Sequence, residues 1–164
     1  MISRLAVVLL IAVSAACGGA PTTTSPSDTP FAGTWSGTYT VIDCQGGGSA
    51  QVLICSPPAD GRPAGAFTAG TLLPISMTLT QDGTAVAGVL ALGPATGNVT
   101  GGVDDGGVLT LRGTAAGAPF AAAIVDWNTR VLGTTMDGVA AYSVTMPATP
   151  RVGGLVTSLV VTRH

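Results

Sequence analysis

Phe31-Ala-Gly-Thr-Trp-Ser-Gly-Thr-Tyr-Thr-Val-Ile42 is the stretch that decides the fold. Trp35, Tyr39 and Val41 fall on one face with Gly37, while Thr34, Ser36, Thr38 and Thr40 fall on the other. That period of two marks a half-buried strand. The chain beyond it repeats the pattern in short runs. Leu73 to Thr80 sets Leu73, Ile75, Met77 and Leu79 against Ser76, Thr78 and Thr80. Gln81-Asp82-Gly83 then turns into Thr84 to Leu92, where Val86, Leu90 and Leu92 share a face with Gly88, and Gly93-Pro94 ends that run. Asn98 to Val103 is joined by Asp104-Asp105-Gly106-Gly107 to Val108 to Thr114, whose Leu109 and Leu111 oppose Arg112. Ala118 to Trp127 follows, with a turn expected at Asn128-Thr129. Val131 to Met146 reads either as one long strand bulged near Asp137-Gly138 or as two strands with a hairpin there. Leu155 to Arg163 is the last strand.

Composition agrees with strands. All eight acids are Asp and all six bases are Arg. Without Glu or Lys, and with 24 Gly, the chain lacks strong helix formers and favours turns and extended segments. At 164 residues it has the length of one domain. The formal net charge of −2 leaves no basic patch to neutralise phosphates, which argues against nucleic-acid binding.

Short consecutive strands joined by tight turns, with no crossover long enough for a helix, predict an all-β antiparallel up-and-down meander. Eight such strands can close into a barrel. Closure matters because so few charges would leave an open edge unprotected against further strand pairing. The alternative architecture is a β-sandwich. An immunoglobulin-like one expects a Trp between two distant cysteines, whereas both candidate cysteines here follow Trp35 and lie close together.

Residues 1–16 read as a signal peptide. Arg4 precedes an apolar run from Leu5 to Ala16. At roughly 18 Å if helical, the run is too short for a hydrocarbon core of about 30 Å. The run ends Ser14-Ala15-Ala16-Cys17, which resembles the lipobox of bacterial lipoproteins. The resemblance implies lipidation of Cys17 as the mature N-terminus, although Ser14 stands where the pattern has Leu. Ordinary signal cleavage near Ala16 is the alternative. Residues 17–30, rich in Gly, Pro, Ser and Thr, read as a lipid-anchored flexible linker, with the barrel domain spanning 31–164. Gly18 after the Cys resembles the outer-membrane sorting signal of two-membraned bacteria. The expected location is therefore the cell envelope, on the periplasmic or surface face of the outer membrane if the host has two membranes.

Cys44 and Cys55 form an even pair in an exported chain, and a structural disulfide is the expectation. A redox role would prefer C-x-x-C spacing, and a zinc site would need further ligands. Ser56 to Gly65, with three prolines, reads as loop carrying Asp60 and Arg62.

Gly33-Thr34-Trp35 resembles the G-x-W opening of the lipocalin and avidin (calycin-like) barrels. The chain as a whole also resembles small bacterial lipoproteins with Gly- and Thr-rich strands. In the calycin-like barrels a Trp and a basic residue pack across the closed end, which implies Arg163 of the last strand lying over Trp35 of the first.

The sequence specifies no reaction. His164 is the sole histidine and the last residue, where chains fray, so no triad or general base is assembled. Asp104 and Asp105 read as a turn rather than as metal ligands. No cofactor or metal is implied, and the chain reads as a non-enzyme. Asn98-Val99-Thr100 fits a glycosylation sequon by coincidence. Three functions remain: a structural or interaction module of the envelope, a binding module holding a small apolar ligand in the barrel, and, with least support, an envelope enzyme. The candidate interior residues are Trp35, Tyr39, Met77, Leu79, Leu90, Leu111, Phe120 and Tyr142, with Arg163 at the mouth. The expected partner is a membrane, reached through the N-terminal lipid; a protein partner is left unspecified.

Overall fold

The computed structural model describes residues 29–46, 54–56, 67–146 and 151–164. The signal reading of 1–16, lipidation at Cys17, most of the linker, and Asp60 and Arg62 fall outside these residues.

Eight antiparallel strands form a closed meander in chain order: β1 (Gly33–Gly46), β2 (Leu72–Asp82), β3 (Ala85–Leu92), β4 (Ala95–Val103), β5 (Leu109–Gly117), β6 (Phe120–Leu132), β7 (Thr135–Met146) and β8 (Arg151–Arg163). β1 pairs with β2 on one edge and with β8 on the other. The barrel therefore has no free edge, as the scarcity of charge demands.

The alternation read from sequence is the inside-outside pattern of the barrel. Ile75, Met77 and Leu79 of β2, Val86, Leu90 and Leu92 of β3, and Leu109 and Leu111 of β5 are buried, while Arg112 points out. Glycine permits the tight coiling at two kinds of position. Gly83 turns β2 into β3 with φ +57°. Gly101 faces inward on β4, where a Cβ would sit 1.8 Å from the Thr110 carbonyl oxygen, so no other residue fits without moving a strand.

β4 and β8 begin earlier than the sequence expectation, at Ala95 and Arg151, and two turns differ from it. Asn128 and Thr129 are not a turn: β6 runs through them, and Thr129 is buried because its hydroxyl accepts the Trp127 indole N–H at 3.0 Å. The turn falls at Gly133-Thr134, where Gly133 has φ +64°. Asp137-Gly138 consequently carries neither bulge nor hairpin and lies inside an unbroken β7, paired to Arg130 and Thr129. The bulges sit elsewhere, in β1 between Val41 and Asp43 and in β6 between Ile124 and Asp126. Each inserts one residue and switches which parity faces the core.

Candidate functional site: a filled barrel sealed at both ends

All eight candidate interior residues lie inside. Trp35, Tyr39, Met77, Leu79, Leu90, Leu111 and Tyr142 are each no more than 2% exposed, and Phe120 is 6% exposed. They belong to one continuous core with Leu159 of the last strand and with Trp127 and Met136, which the sequence reading did not single out.

The first end of the barrel is closed around Trp35. Trp35 is directly paired with Arg163, so both side chains project from adjacent strands to the same inner face. The Arg163 guanidinium lies over the indole, 4.6 Å from the ring centroid. This geometry lets the cation meet the negative face of the π system. Arg163 also donates to the Pro30 carbonyl, and the Trp35 indole N–H donates to the Phe31 carbonyl at 2.9 Å. Phe31 is buried as a plug, and its own N–H donates to Gln81 Oε1 at 3.0 Å. Phe31 is thus in a turn before the first strand rather than in it.

His164 departs from its expected frayed state. Its N–H donates to the Thr34 carbonyl at 3.0 Å and its ring nitrogen Nε2 pairs with the Ser36 hydroxyl. The cause is that β8 pairs with β1 through Arg163 and carries the last residue along the barrel rim. The Ser36–His164 pair is exposed on the outer face of β1.

The second end is closed by the connection between β1 and β2. Cys44 and Cys55 are joined by a disulfide with a Cα–Cα distance of 5.4 Å. Ile54 and Phe67 are buried beside it and linked by a Phe67 N–H to Ile54 carbonyl bond of 2.7 Å. Phe67 meets Phe120 edge to face at 4.9 Å. Gly153 on β8 leaves room for Ile54, whose side chain would lie 3.2 Å from any Cβ placed there. Sequence alternation could not find Phe31, Ile54 or Phe67, because they stand outside the strands.

Between the seals, the core contains a small polar cluster. Tyr39 and Tyr142 have ring centroids 6.5 Å apart, and Trp127 meets Tyr142 edge-on at 6.5 Å. Thr157 is fully buried and donates to the Ala140 carbonyl at 3.2 Å. The Tyr142 hydroxyl finds no partner of sound hydrogen-bond geometry; Thr157, close to it, gives its own proton to Ala140. Burial drives the Tyr142 pKa far above the usual phenol value, with Tyr39 adding in the same direction and Thr157 opposing. Burial also pushes Tyr39 up to about 12. Both phenols are therefore neutral at ordinary pH.

Depressions of about 350 to 610 Å³ mark the barrel, and each is lined chiefly by outward-facing residues. Among the described residues no group of three or more His, Cys, Asp or Glu could hold a metal ion. No described helix is long and apolar enough to cross a membrane. Asp104 is used by its own turn: its carboxylate accepts from the N–H groups of Gly106 and Val108 at 2.9 and 2.8 Å. No protein-family model, curated protein or solved structure matches this chain.

Proposed function

We propose that this protein is a lipid-anchored module of the bacterial cell envelope that acts through its outer surface, as an interaction or structural element, and not through a ligand held inside the barrel. The observation that carries this reading is the filled interior between two seals. The inward side chains are almost fully buried, Phe31 and Arg163 close one end, and Ile54, Phe67 and the Cys44–Cys55 bond close the other. A calycin-like carrier needs an open mouth, whereas a packed barrel spends the same residues on stability. Support for the anchor comes from the sequence, where the apolar run ends in Ser14-Ala15-Ala16-Cys17. The eight-stranded meander and the Gly33-Thr34-Trp35 opening support a place among calycin-like barrels.

The second reading, a small ligand inside the barrel, draws on one feature, the Tyr142 hydroxyl left without a well-placed partner in the core. Intact mass measurement under native conditions separates the two. Protein purified from envelopes is expected to carry a lipid at Cys17 and no stoichiometric small molecule, and Cys17→Ser is expected to move to the soluble fraction. A retained small molecule at one per chain would overturn the surface reading. Equal fractionation of wild type and Cys17→Ser would overturn the anchor.

A further inference from the structure

Both bulges place two consecutive residues on the outside, and both do so with the same chemistry. In β1 these are Ile42 and Asp43; in β6 they are Val125 and Asp126, all exposed. Two positions after each Asp stands an amide that fixes the carboxylate. Gln45 Nε2 donates to Asp43 Oδ2 at 2.7 Å, and Asn128 Nδ2 donates to both oxygens of Asp126 at 2.9 Å. The local sequences Ile42-Asp-Cys-Gln45 and Val125-Asp-Trp-Asn128 thus share one pattern: apolar, Asp, inward residue, amide.

The two motifs flank β7 and β8, and strand register puts them in one row. Asp43 pairs with Val156, Val156 with Ala141, and Ala141 with Asp126. Three interstrand steps along a curved sheet separate the two Asp Cα atoms by roughly 12–14 Å. That separation excludes joint chelation of one ion. Beside this row, toward Gln45, lies a trough of about 360 Å³ whose lining includes Asp43, Val125, Ala141, Gly154 and Val156 but not Asp126. Its floor is low because Gly154 has no side chain, and a Cβ added there would meet nothing within 4 Å. Among the described residues neither carboxylate meets a cation.

We propose that this row is a docking site for an extended protein segment bearing two long basic side chains, preferably Arg, four residues apart, with an apolar residue midway. This rests on the interaction-module reading. An extended chain advances about 3.3 Å per residue, so positions i and i+4 span about 13 Å and project to the same side as i+2. The apolar residue at i+2 enters the trough over Gly154 and Ala141. The sheet curves away on both sides, so the flanking cations must be long enough to reach down to Asp43 and Asp126. A planar guanidinium pairs with a carboxylate through two parallel hydrogen bonds.

The probe is a synthetic peptide, Gly-Arg-Ser-Leu-Ser-Arg-Gly with blocked ends, titrated into the intact protein by calorimetry. Binding is expected to weaken with salt, because exposed ion pairs are screened. Asp43→Asn and Asp126→Asn are each expected to lower affinity about threefold to fivefold, and together about tenfold or more. Gly154→Trp is expected to abolish binding by filling the trough, and its thermal transition is measured alongside to establish that the variant is folded. The same peptide with Glu for Arg should not bind. If the Arg peptide does not bind the wild-type protein, if the doubly substituted protein binds it as tightly as wild type, or if the Glu peptide binds equally well, the proposal is overturned. A photo-crosslinker placed at Thr100, on the outside of β4, separates this failure from the wider one. A partner captured there, with the peptide indifferent to both Asp residues, removes this site and leaves the interaction-module reading standing.

Discussion

The two ends of the barrel solve the same problem by different means. At the Cys44 end the chain leaves β1, forms the segment that holds Ile54 and Phe67, and returns as β2; a covalent bond secures that segment. At the Trp35 end the chain enters and terminates, and the seal is built only from noncovalent contacts among Pro30, Phe31, Trp35 and Arg163. The difference follows from what each end must hold. A Gly-rich connecting sequence has much entropy to lose on folding, and a cross-link lowers that cost by constraining the unfolded chain. The termini need no such constraint, because β1 and β8 are already zipped together by the sheet. Strand closure and the Trp35 seal are therefore one structure, whereas the Cys44 seal is an attachment to it.

The strongest way to break this contrast is Trp35→Ala. Trp35 is fully buried, carries Arg163 on its face and anchors Phe31, so its removal should cost about 3–5 kcal/mol and destabilise the whole barrel in a single transition. Denaturant titration followed by circular dichroism measures the loss. A two-step transition would mean that the Trp35 end is an independent attachment.

Replacing Cys44 and Cys55 together by Ser comes next, with an expected loss of about 2–3 kcal/mol for a link across 11 positions. Here the strands should persist, and the Trp35 end should keep its fluorescence at low denaturant. Mass measurement before and after reduction tests the bond itself; two free thiols in the purified, unreduced protein contradict it.

Arg163→Met keeps the aliphatic stem but removes the cation and the bond to Pro30. It should cost about 0.5–2 kcal/mol, and the change in indole emission should report the lost contact directly. Unaltered stability and emission would show that the guanidinium contributes nothing to closure.

The smallest effect concerns the core between the seals. Tyr142→Phe removes a hydroxyl left without a well-placed partner, so stability should stay the same or rise by up to about 1 kcal/mol. A clear loss would mean that the hydroxyl is bonded to a buried water or ligand. The phenols also set an alkaline limit. Below pH 10 both tyrosines are neutral whether folded or not, and they add no pH dependence. As pH rises from 10 through about 12, the unfolded chain loses protons that Tyr39 retains when folded, so stability falls across that window. The Tyr142 phenol, raised further, continues the fall above it. Since these are the two tyrosines of the chain, tyrosinate absorbance against pH measures this without interference.

Much of this was legible in sequence because inside-outside alternation is a local property. β1 up to Val41 and each strand from β2 to β5 carry the buried face in alternate letters, and Gly83 and Asp104 to Gly107 announce their turns. Closure was legible too, since Arg163 and Trp35 fall on inward parity of the last and first strands. What escaped depends on the barrel as a whole. Bulges arise where curvature outruns regular pairing, and nothing local distinguishes Val125 or Ile42 from an ordinary strand residue. Asn128-Thr129 has turn chemistry but is used differently: Asn128 orients Asp126, and Thr129 satisfies a buried indole. The expectation of a frayed His164 failed for a related reason, because a terminal residue is held when its strand pairs to the end.

Residue-resolved amide hydrogen exchange along β1 tests the central claim, that a filled barrel is closed by the first and last strands. In a strand paired on both edges, successive N–H groups point alternately to the two neighbours, and all are protected. Trp35 to Thr40 pair with both β2 and β8, so their consecutive amides are expected to exchange uniformly slowly. Fast exchange at every second amide of that run would show an open edge where β8 should lie, and would contradict the closed barrel on which the account depends.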